Sequence, residues 1–265
     1  MAIRALSTAA SGMTALQSQI DVIANNLANV NSTGYKKTRA NFQDLIYQQI
    51  RQPGFDSGGG QGQIPTGIQI GLGTRLVSTE KLFAQGSLDL TEKDLDIAIE
   101  GDGFLRIRTV NGSTAYTRDG SLRVDSAGNV VTADGFFLVD DLTVPQGVTR
   151  VSISVSGLVE GFDPTQPNTP QAIGEITLAR FINPAGLRSI GQNLYEETGA
   201  SGQALEARPG EQGLGFVRQG FLESSNVQVV EELVDMIQTQ RAFEINASTI
   251  RTADEMLQTV NQLRR

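Results

Sequence analysis

The side chains best suited to chemistry in this sequence are oxygen-bearing groups on glycine-containing turns. They are Asp119, Asp125, Asn129 and Asp134. Carboxylate and amide oxygens are calcium ligands, but the spacing of these four misses the calcium loop of an EF-hand. Asp and Asn also initiate tight turns, because their side chains accept hydrogen bonds from the backbone that follows. We therefore interpret them as turn residues and predict no metal site.

A second acidic group, Glu231, Glu232 and Asp235, lies where a C-terminal helix pattern begins. Negative side chains stabilise the positive end of a helix, so we interpret this group as a solvated helix face rather than as catalytic carboxylates. The chain has no His and no Cys, which removes the usual general base, the thiol nucleophile and thiolate metal ligands. The glycine-rich runs "GDGF" and "GLGTRL" complete neither a dinucleotide fingerprint nor a phosphate loop. The sequence predicts that the chain is not an enzyme and binds no cofactor.

Composition narrows the class of protein further. The chain has 265 residues, of which 39% are hydrophobic and 19% charged, as expected of a globular protein of one or two domains. Its net charge of -8 disfavours nucleic acid, whose phosphates need a basic face. The N-terminal run "ALSTAASGMTALQSQI" is too polar for the apolar core of a cleaved signal peptide. We expect a chain that is either cytosolic or exported by a route that uses an uncleaved N-terminus.

Both ends of the chain carry the apolar repeat of a long amphipathic helix. Near the N-terminus, apolar side chains recur at alternating steps of three and four, which is a coiled-coil signature. They are Leu6, Ala9, Met13, Leu16, Ile20, Ile23, Leu27 and Val30. A less regular stripe near the C-terminus consists of Val229, Leu233, Met236, Phe243, Ala247, Ile250, Ala253, Leu257, Val260 and Leu263. The sequence therefore predicts coiled-coil-forming helices at both termini.

Asparagines crowd the end of the first helix, in "ANNLANVNSTGYKK" (24–37). Asparagine is a poor helix former, because its amide competes for backbone hydrogen bonds. The spacing of Asn25, Asn26 and Asn29 places them on one flank beside the apolar seam, where their amides can hydrogen-bond to a helix of another subunit. Alternatively, they unwind the helix before Gly34, which can adopt a positive φ. The residues alone favour the two interpretations equally.

The middle of the chain, from about residue 64 to 222, has the short alternating runs and glycine punctuation of a β-rich domain. Asp-Gly at 119–120 and at 134–135, and Ala-Gly-Asn at 127–129, separate strand-like runs as hairpin turns do. The sequence therefore predicts strands joined by tight turns.

A long β-hairpin is predicted before this region. The alternating residues Ile68, Ile70 and Leu72 indicate a strand, and the run from Leu45 to Ile50 can pair with it. Pro53 to Gly62 then form the tip of the hairpin.

The two terminal runs, "ANNLANVNSTGYKK" and "SSNVQVVEELVDMIQTQRAFEINASTIRTADEMLQTVNQL", resemble the signatures of the rod and hook family of bacterial flagellar axial proteins. The middle motifs resemble the distal-rod members of that family, in order and nearly end to end. They are "IRQPG", "GIQIGLGTR", "DIAIEGDGFLRI", "AYTRDGSLRVDSAGNVVTADG", "SIGQNLYEETGASG" and "QGFLESSNV". Hook members share both ends but have a different and usually longer middle. A hook or proximal-rod paralogue is therefore the alternative.

The resemblance implies an α+β fold, in which long N- and C-terminal coiled-coil-forming helices flank a β-rich middle domain. It divides the chain into a terminal helical part (1–34 with 226–265), a connecting region with the long β-hairpin (35–90 with 205–225) and a β-rich outer domain (91–204). In this family the helices form the inner wall of a tube and the β-rich domain lies outside. We expect a structural subunit of the distal rod, a rigid tubular drive shaft that transmits motor torque to the hook.

The same resemblance implies site residues. The expected subunit-interface residues are Leu6, Met13, Leu16, Ile20, Ile23, Asn25, Asn26, Leu27, Asn29, Val30, Leu233, Met236, Phe243, Ile250, Leu257 and Val260. The residues of the hairpin expected to stiffen the rod are Ile50, Pro53, Gly54, Ile64, Ile68 and Ile70.

The resemblance also implies partners and a location. The expected partners are other copies of the chain in an open helical polymer, the proximal-rod and hook proteins, the ring proteins of the peptidoglycan and outer membrane, the flagellar export apparatus and the rod cap. The expected location is the flagellar basal body, spanning the periplasm after export without a cleaved signal peptide. A remote alternative is a carbohydrate-binding module or a cell-wall hydrolase, since two carboxylates suffice for glycoside cleavage. That alternative leaves the terminal seams unexplained.

Overall fold

Two long helices lie at the ends of the chain, as the apolar repeats predict. Helix α1 spans Ala2–Ala28 and helix α2 spans Val229–Leu263, so α1 ends before Val30, the last position of the predicted seam. Thr14 Oγ1 donates to Ala10 O at 3.1 Å, one of several such bonds that accommodate hydroxyl residues within α1. Within the described residues, neither helix is long and apolar enough to cross a lipid bilayer.

The computed structural model describes residues 2–51, 66–163 and 170–263. The chain forms two units. The terminal unit consists of Met1–Leu27, Thr38–Glu80 and Val229–Arg265, and the β unit consists of Ala28–Lys37 and Lys81–Gln228. Helices at both ends of a β-rich chain confirm the α+β fold class, and the finer three-part division stays a prediction.

Four strands follow α1 in the chain. They are β1 (Thr38–Asp44), β2 (Tyr47–Arg51), β3 (Ile68–Gly71) and β4 (Thr74–Lys81). Strand β1 pairs with β4 as a two-stranded ribbon, and β2 pairs antiparallel with β3.

The ribbon of β1 and β4 lies along α1. Asn26 hydrogen-bonds the backbone of Thr38, the first residue of β1, and the N–H of Thr74, the first residue of β4, donates to Ser11 Oγ at 3.4 Å. The helix from Ser11 to Asn26 spans about 22 Å, and the seven residues of β1 span about 23 Å. Gly73 allows this close approach, because a Cβ there would lie 2.1 Å from Ser11 Oγ.

The β unit contains the remaining strands of the described residues. They are β5 (Leu88–Leu90), β6 (Ile97–Glu100), β7 (Phe104–Arg108), β8 (Thr114–Thr117), β9 (Leu122–Val124), β10 (Val130–Thr132), β11 (Phe137–Leu138), β12 (Arg150–Ile153), β13 (Leu158–Phe162), β14 (Gln171–Glu175), β15 (Leu178–Arg180), β16 (Arg188–Gly191), β17 (Leu194–Glu196), β18 (Leu205–Ala207), β19 (Phe216–Gln219) and β20 (Phe221–Glu223), with a 3₁₀ turn at Pro184–Gly186.

The largest sheet of the described strands has the order β16-β17-β8-β7-β11-β10-β9, and β15 joins β7 to β18. Strands β12, β13 and β14 form a second sheet, while β19 pairs with β6 and β20 with β5. Aliphatic side chains such as Ile97, Leu105 and Leu178 form the main core. Phe104 and Tyr195 belong to an adjacent aromatic cluster with edge-to-face ring contacts, which adds to the stability from burial alone.

Two of the three predicted hairpin turns are confirmed. Gly128 (φ +91°) lies between β9 and β10, and Gly135 (φ +86°) lies between β10 and β11, both antiparallel pairs. The prediction at Asp119–Gly120 was wrong, because β8 pairs with β7 and β17 and not with the strand β9 that follows it. Gly120 instead passes the backbone of Ile97, where a Cβ would lie 1.7 Å from the carbonyl oxygen.

Candidate assembly surface

The terminal helices contact each other at two levels within one chain. Asn26 Nδ2 donates to Glu232 Oε2 at 3.2 Å, and Gly12 lies against Asn246, whose Nδ2 would be 3.3 Å from a Cβ at position 12. The contact positions are 14 residues apart on α1 (12 to 26) and on α2 (232 to 246), in opposite chain order. The helices therefore lie side by side and antiparallel within the subunit.

Asn26 is buried in the terminal unit instead of lying on an open flank. The residue is 1% exposed, its Oδ1 accepts the N–H of Thr38 at 2.9 Å, and its Nδ2 donates to Thr38 O at 2.9 Å. Ile23, at 2% exposed, is also buried within the chain. Within the single chain, Asn26 and Ile23 therefore offer little surface to a second copy, and their role as subunit-interface residues stays a prediction. Glu232 is equally buried, so its interpretation as part of a solvated face was wrong.

The other asparagines of the run have different positions. Asn25 is exposed on α1 and stays a predicted interface residue. Asn29 follows the last residue of the helix, where its carbonyl accepts the N–H of Ser32 at 3.1 Å and its Oδ1 accepts Ser32 Oγ at 3.3 Å. The turn continues to Gly34, whose φ is +68°. These contacts agree with the second interpretation, in which Asn29 helps to end the helix.

A stripe of exposed apolar side chains runs along the first turns of α2. It consists of Val230, Leu233, Val234 and Ile237, with exposures of 74%, 42%, 47% and 50%. These residues, called the α2 stripe below, recur at i, i+3, i+4 and i+7 and so share one helix face. Only Leu233 was predicted. The sequence "VVEELVDMI" contains two overlapping apolar stripes. The prediction used the one through Val229, Leu233 and Met236, and not the one that is exposed.

Most of the other predicted interface residues are half-buried in the single chain. They are Leu6, Met13, Leu16, Ile20, Leu27, Asn29, Val30, Met236, Phe243, Ile250 and Leu257. The side chain of Val260 lies outside the described residues. The role of these residues between subunits stays a prediction.

The predicted hairpin is confirmed where it is described. Gln48 of β2 lies opposite Ile70 of β3, and Arg51 lies opposite Ile68. Ile50 is 56% exposed and Ile68 is 50% exposed, whereas Ile70 is half-buried. Three further predicted hairpin residues, Pro53, Gly54 and Ile64, lie outside the described residues.

Tyr47 is the first residue of β2 and lies opposite Gly71, the last residue of β3. A hydrogen bond to the nearby carboxylate of Asp44 raises the pKa of Tyr47, because ionisation would set two negative charges side by side. The ring covers Gly71, where a Cβ would lie 3.3 Å from Tyr47 Cε1. The hairpin therefore presents apolar and aromatic surface to its surroundings.

The carboxylates of Asp119 and Asp125 accept hydrogen bonds from backbone N–H groups of their own turns. The carboxylate of Asp125 accepts the N–H groups of Ala127 at 2.8 Å and Asn129 at 2.9 Å, and these bonds hold the pKa of Asp125 below its usual range. Asp119 likewise accepts the N–H of Ser121 at 3.0 Å. Among the described residues, no group of three or more His, Cys, Asp or Glu side chains is placed to hold a metal ion.

The β unit also encloses a charged cluster that composition did not indicate. Glu223 Oε1 accepts Lys36 Nζ at 2.6 Å and the N–H of Gly86 at 2.9 Å, and its Oε2 accepts Arg118 Nη1 at 3.3 Å. The side chains of Glu223 and Lys36 are fully buried, and burial lowers the pKa of Lys36 despite the attraction of Glu223. One carboxylate thus pairs with two buried cations.

Three family models match the chain. "Flagella basal body rod protein" matches residues 6–36, "Flagellar hook protein FlgE/F/G D1 domain" matches 98–161, and "Flagellar basal body rod FlgEFG protein C-terminal" matches 218–263. The first covers most of α1 and the asparagine run, and the last covers α2. Both terminal runs therefore carry the family signatures that they resemble.

Whole-length relatives agree with these matches. The chain is 48% identical over 265 residues to the flagellar basal-body rod protein FlgG of Borreliella burgdorferi, covering 99% of each chain. It is 46% identical over 262 residues to FlgG of Caulobacter vibrioides, covering 99% of this chain and 100% of the relative, and 45% identical to FlgG of Buchnera aphidicola from Acyrthosiphon pisum, covering 95% and 96%. These relatives support a structural rod protein and give no support to the hydrolase alternative. The chain belongs to the family of flagellar basal-body rod proteins.

Proposed function

We propose that the chain is the structural subunit of the flagellar distal rod, and that its copies assemble into a rigid tubular drive shaft that transmits motor torque to the hook. The observation that carries this proposal is the α2 stripe. Contiguous apolar side chains in water mark a surface that another protein covers. A stripe that contacts a different surface of the next copy makes a heterologous contact, which repeats into an open helix.

The assembled subunit has three layers in this proposal. The helices of 1–34 and 226–265 form a coiled-coil inner wall, 35–90 with 205–225 connect, and 91–204 lie outside. The support is the antiparallel pairing of α1 and α2, which leaves the α2 stripe facing outward from the pair. The half-buried apolar residues of both helices then complete their burial against neighbouring copies.

The proposed partners follow from a position within the rod. They are further copies of the chain, proximal-rod and hook proteins at its ends, peptidoglycan and outer-membrane ring proteins around it, and the export apparatus and rod cap during assembly. The chain spans the periplasm in this proposal and reaches it without a cleaved signal peptide. The support is the family and the rod proteins among the whole-length relatives.

The hairpin of β2 and β3 favours a rod over a hook paralogue. Its exposed residues Tyr47, Ile50 and Ile68 offer apolar surface to a neighbouring copy. Contacts of this kind between subunits resist the sliding that bending requires. We propose that the hairpin stiffens the tube.

Electron microscopy of concentrated purified protein tests the proposal. We expect straight tubes from the parent chain and none from Leu233→Asp/Ile237→Asp, because the two carboxylates would have to be buried in each contact. Gln238→Asp, at an exposed polar position of α2, is the matched control and should assemble. Curved tubes from the parent would favour the hook alternative, and tubes from the double variant would exclude the α2 stripe as the contact.

A further inference from the structure

Polar residues or glycine recur at every seventh position where α1 and α2 face each other. Gln19 lies seven residues from both Gly12 and Asn26, and Thr239 lies seven residues from both Glu232 and Asn246. Thr239 is 9% exposed, and the buried Oε1 of Gln19 has no hydrogen-bond partner among the described residues. Seven residues are about two helical turns, so Gln19 and Thr239 lie opposite each other at a middle level.

Between these polar levels the facing side chains are small or apolar. Ala15 and Ile23 are buried on α1, and Met236 and Phe243 are half-buried on α2. Sliding one helix by three or four residues would set the carboxylate of Glu232 against apolar groups, which is costly for a buried charge. Sliding by seven residues would again set the polar residues of α2 opposite Gln19, Asn26 or the small residues Gly12 and Ala5. A different feature has to exclude that shift.

The level of Asn26 and Glu232 supplies a hydrogen-bond criterion. The amide oxygen and one amide hydrogen of Asn26 bind the backbone of Thr38, and Nδ2 also donates to Glu232. An amide has two hydrogens, so one is directed to α2. A shift by seven residues would place Glu232 opposite Gln19 or beyond the end of α1, and it would break this bond in either direction.

The level of Gly12 and Asn246 supplies a steric criterion. Asn246 Nδ2 comes so close to Gly12 that an added Cβ would be 3.3 Å away. A shift by seven residues would place Asn246 opposite Gln19 or Ala5, both of which carry a Cβ. Gly12 therefore lets Asn246 approach α1 without the displacement of a few tenths of an ångström that a Cβ would require.

We propose that these two levels, about 21 Å apart along the helices, form a register lock that restricts α1 and α2 of one chain to a single antiparallel register. A seven-residue repeat by itself permits shifts by whole repeats, and polar positions within such a repeat are known to select one pairing at some cost in stability. Gly12, Asn26, Glu232 and Asn246 are then the residues that determine helix pairing. The inference rests on contacts within the terminal unit and does not depend on the proposed function.

Disulfide trapping tests the lock, since the chain has no Cys of its own. Ala15→Cys/Phe243→Cys reports the observed register, and Ala15→Cys/Met236→Cys reports a shift by seven. After oxidation, intramolecular bonds are counted by mass spectrometry. In the otherwise unchanged chain we expect the second pair to yield less than a tenth of the first. Equal yields would overturn the proposal.

Variants of the lock should change this ratio. Asn26→Ala and Gly12→Ala, made separately, should raise the shifted product at least threefold, while Asn25→Ala, at an exposed neighbouring position, should not. Glu232→Gln keeps an oxygen acceptor and should retain the observed register. Far-UV circular dichroism establishes that the helices persist. An unchanged ratio in both lock variants, or loss of both products with loss of the helices, would show that these residues support folding and not register.

Discussion

Replacing Glu223 by leucine should destabilise the β unit strongly. The change removes the carboxylate that accepts hydrogen bonds from Lys36, Gly86 and Arg118. The side chains of Glu223 and Lys36 are fully buried. Two cations would then remain in the interior without their counter-charge. Breaking a buried ion pair from one side costs about 3–5 kcal/mol, because the remaining charge is left uncompensated.

The expected loss corresponds to a large shift in thermal unfolding. For a unit of this size, 1 kcal/mol moves the midpoint by about 2–4 °C, so Glu223→Leu should lower it by roughly 6–20 °C. Adding Lys36→Met should recover a large part of the loss, because one of the two orphaned cations is removed with it. Glu196→Leu is the control. Its partner Arg188 is 66% exposed, and exposed ion pairs contribute about 1 kcal/mol or less.

Differential scanning calorimetry, with near-ultraviolet circular dichroism of the tyrosines as a second probe, measures these midpoints. Tyr195 is buried in the β unit, so its near-ultraviolet signal reports the unfolding of that unit. A loss of less than about 1 kcal/mol for Glu223→Leu, equal to that of an exposed pair, would refute the reasoning. Failure of Lys36→Met to recover stability would show that the orphaned Lys36 cation is not the cause of the loss.

Three further outcomes are expected. Deleting residues 52–63 should leave the melting of the β unit unchanged and make the assembled tubes curved or flexible in electron micrographs; straight tubes would show that rigidity has another source. Gly120→Ala should destabilise the β unit by about 1–3 kcal/mol, because its Cβ would overlap a backbone carbonyl, whereas Gly199→Ala, with no atom within 4 Å, should be neutral in denaturant titrations. Burial raises the pKa of Tyr116 to about 12, so above about pH 10 the unfolded chain loses this proton first and stability declines until the pH passes 12. Tyr116→Phe should lessen that decline in urea unfolding curves, and the raised pKa of buried Tyr195 accounts for the part that remains; an unchanged slope would contradict the assignment.

Much of the fold could be predicted because the signals are local. The apolar steps of three and four in the first 28 residues indicate α1, and alternation around Ile68 and Ile70 indicates a strand of the hairpin. Each pattern depends on residues within a few turns of one another, and periodicity measures that relationship directly. The predicted hairpin turn at Asp119–Gly120 was wrong for the opposite reason. Asp-Gly indicates a turn, but strand partners are chosen by packing across the sheet.

The sequence by itself determined the two terminal helices, the β-rich middle, and the absence of His and Cys chemistry, since these follow from composition and short-range spacing. Only the tertiary structure decided which polar residues are buried. Asn25 and Asn26 are neighbours of the same type, yet one is exposed and the other is enclosed by Thr38 and Glu232. Glu232 is 206 residues away in the chain, so no local pattern could indicate the contact. The burial of a polar group depends on the hydrogen-bond partners that the fold brings to it, and those partners are set by long-range packing.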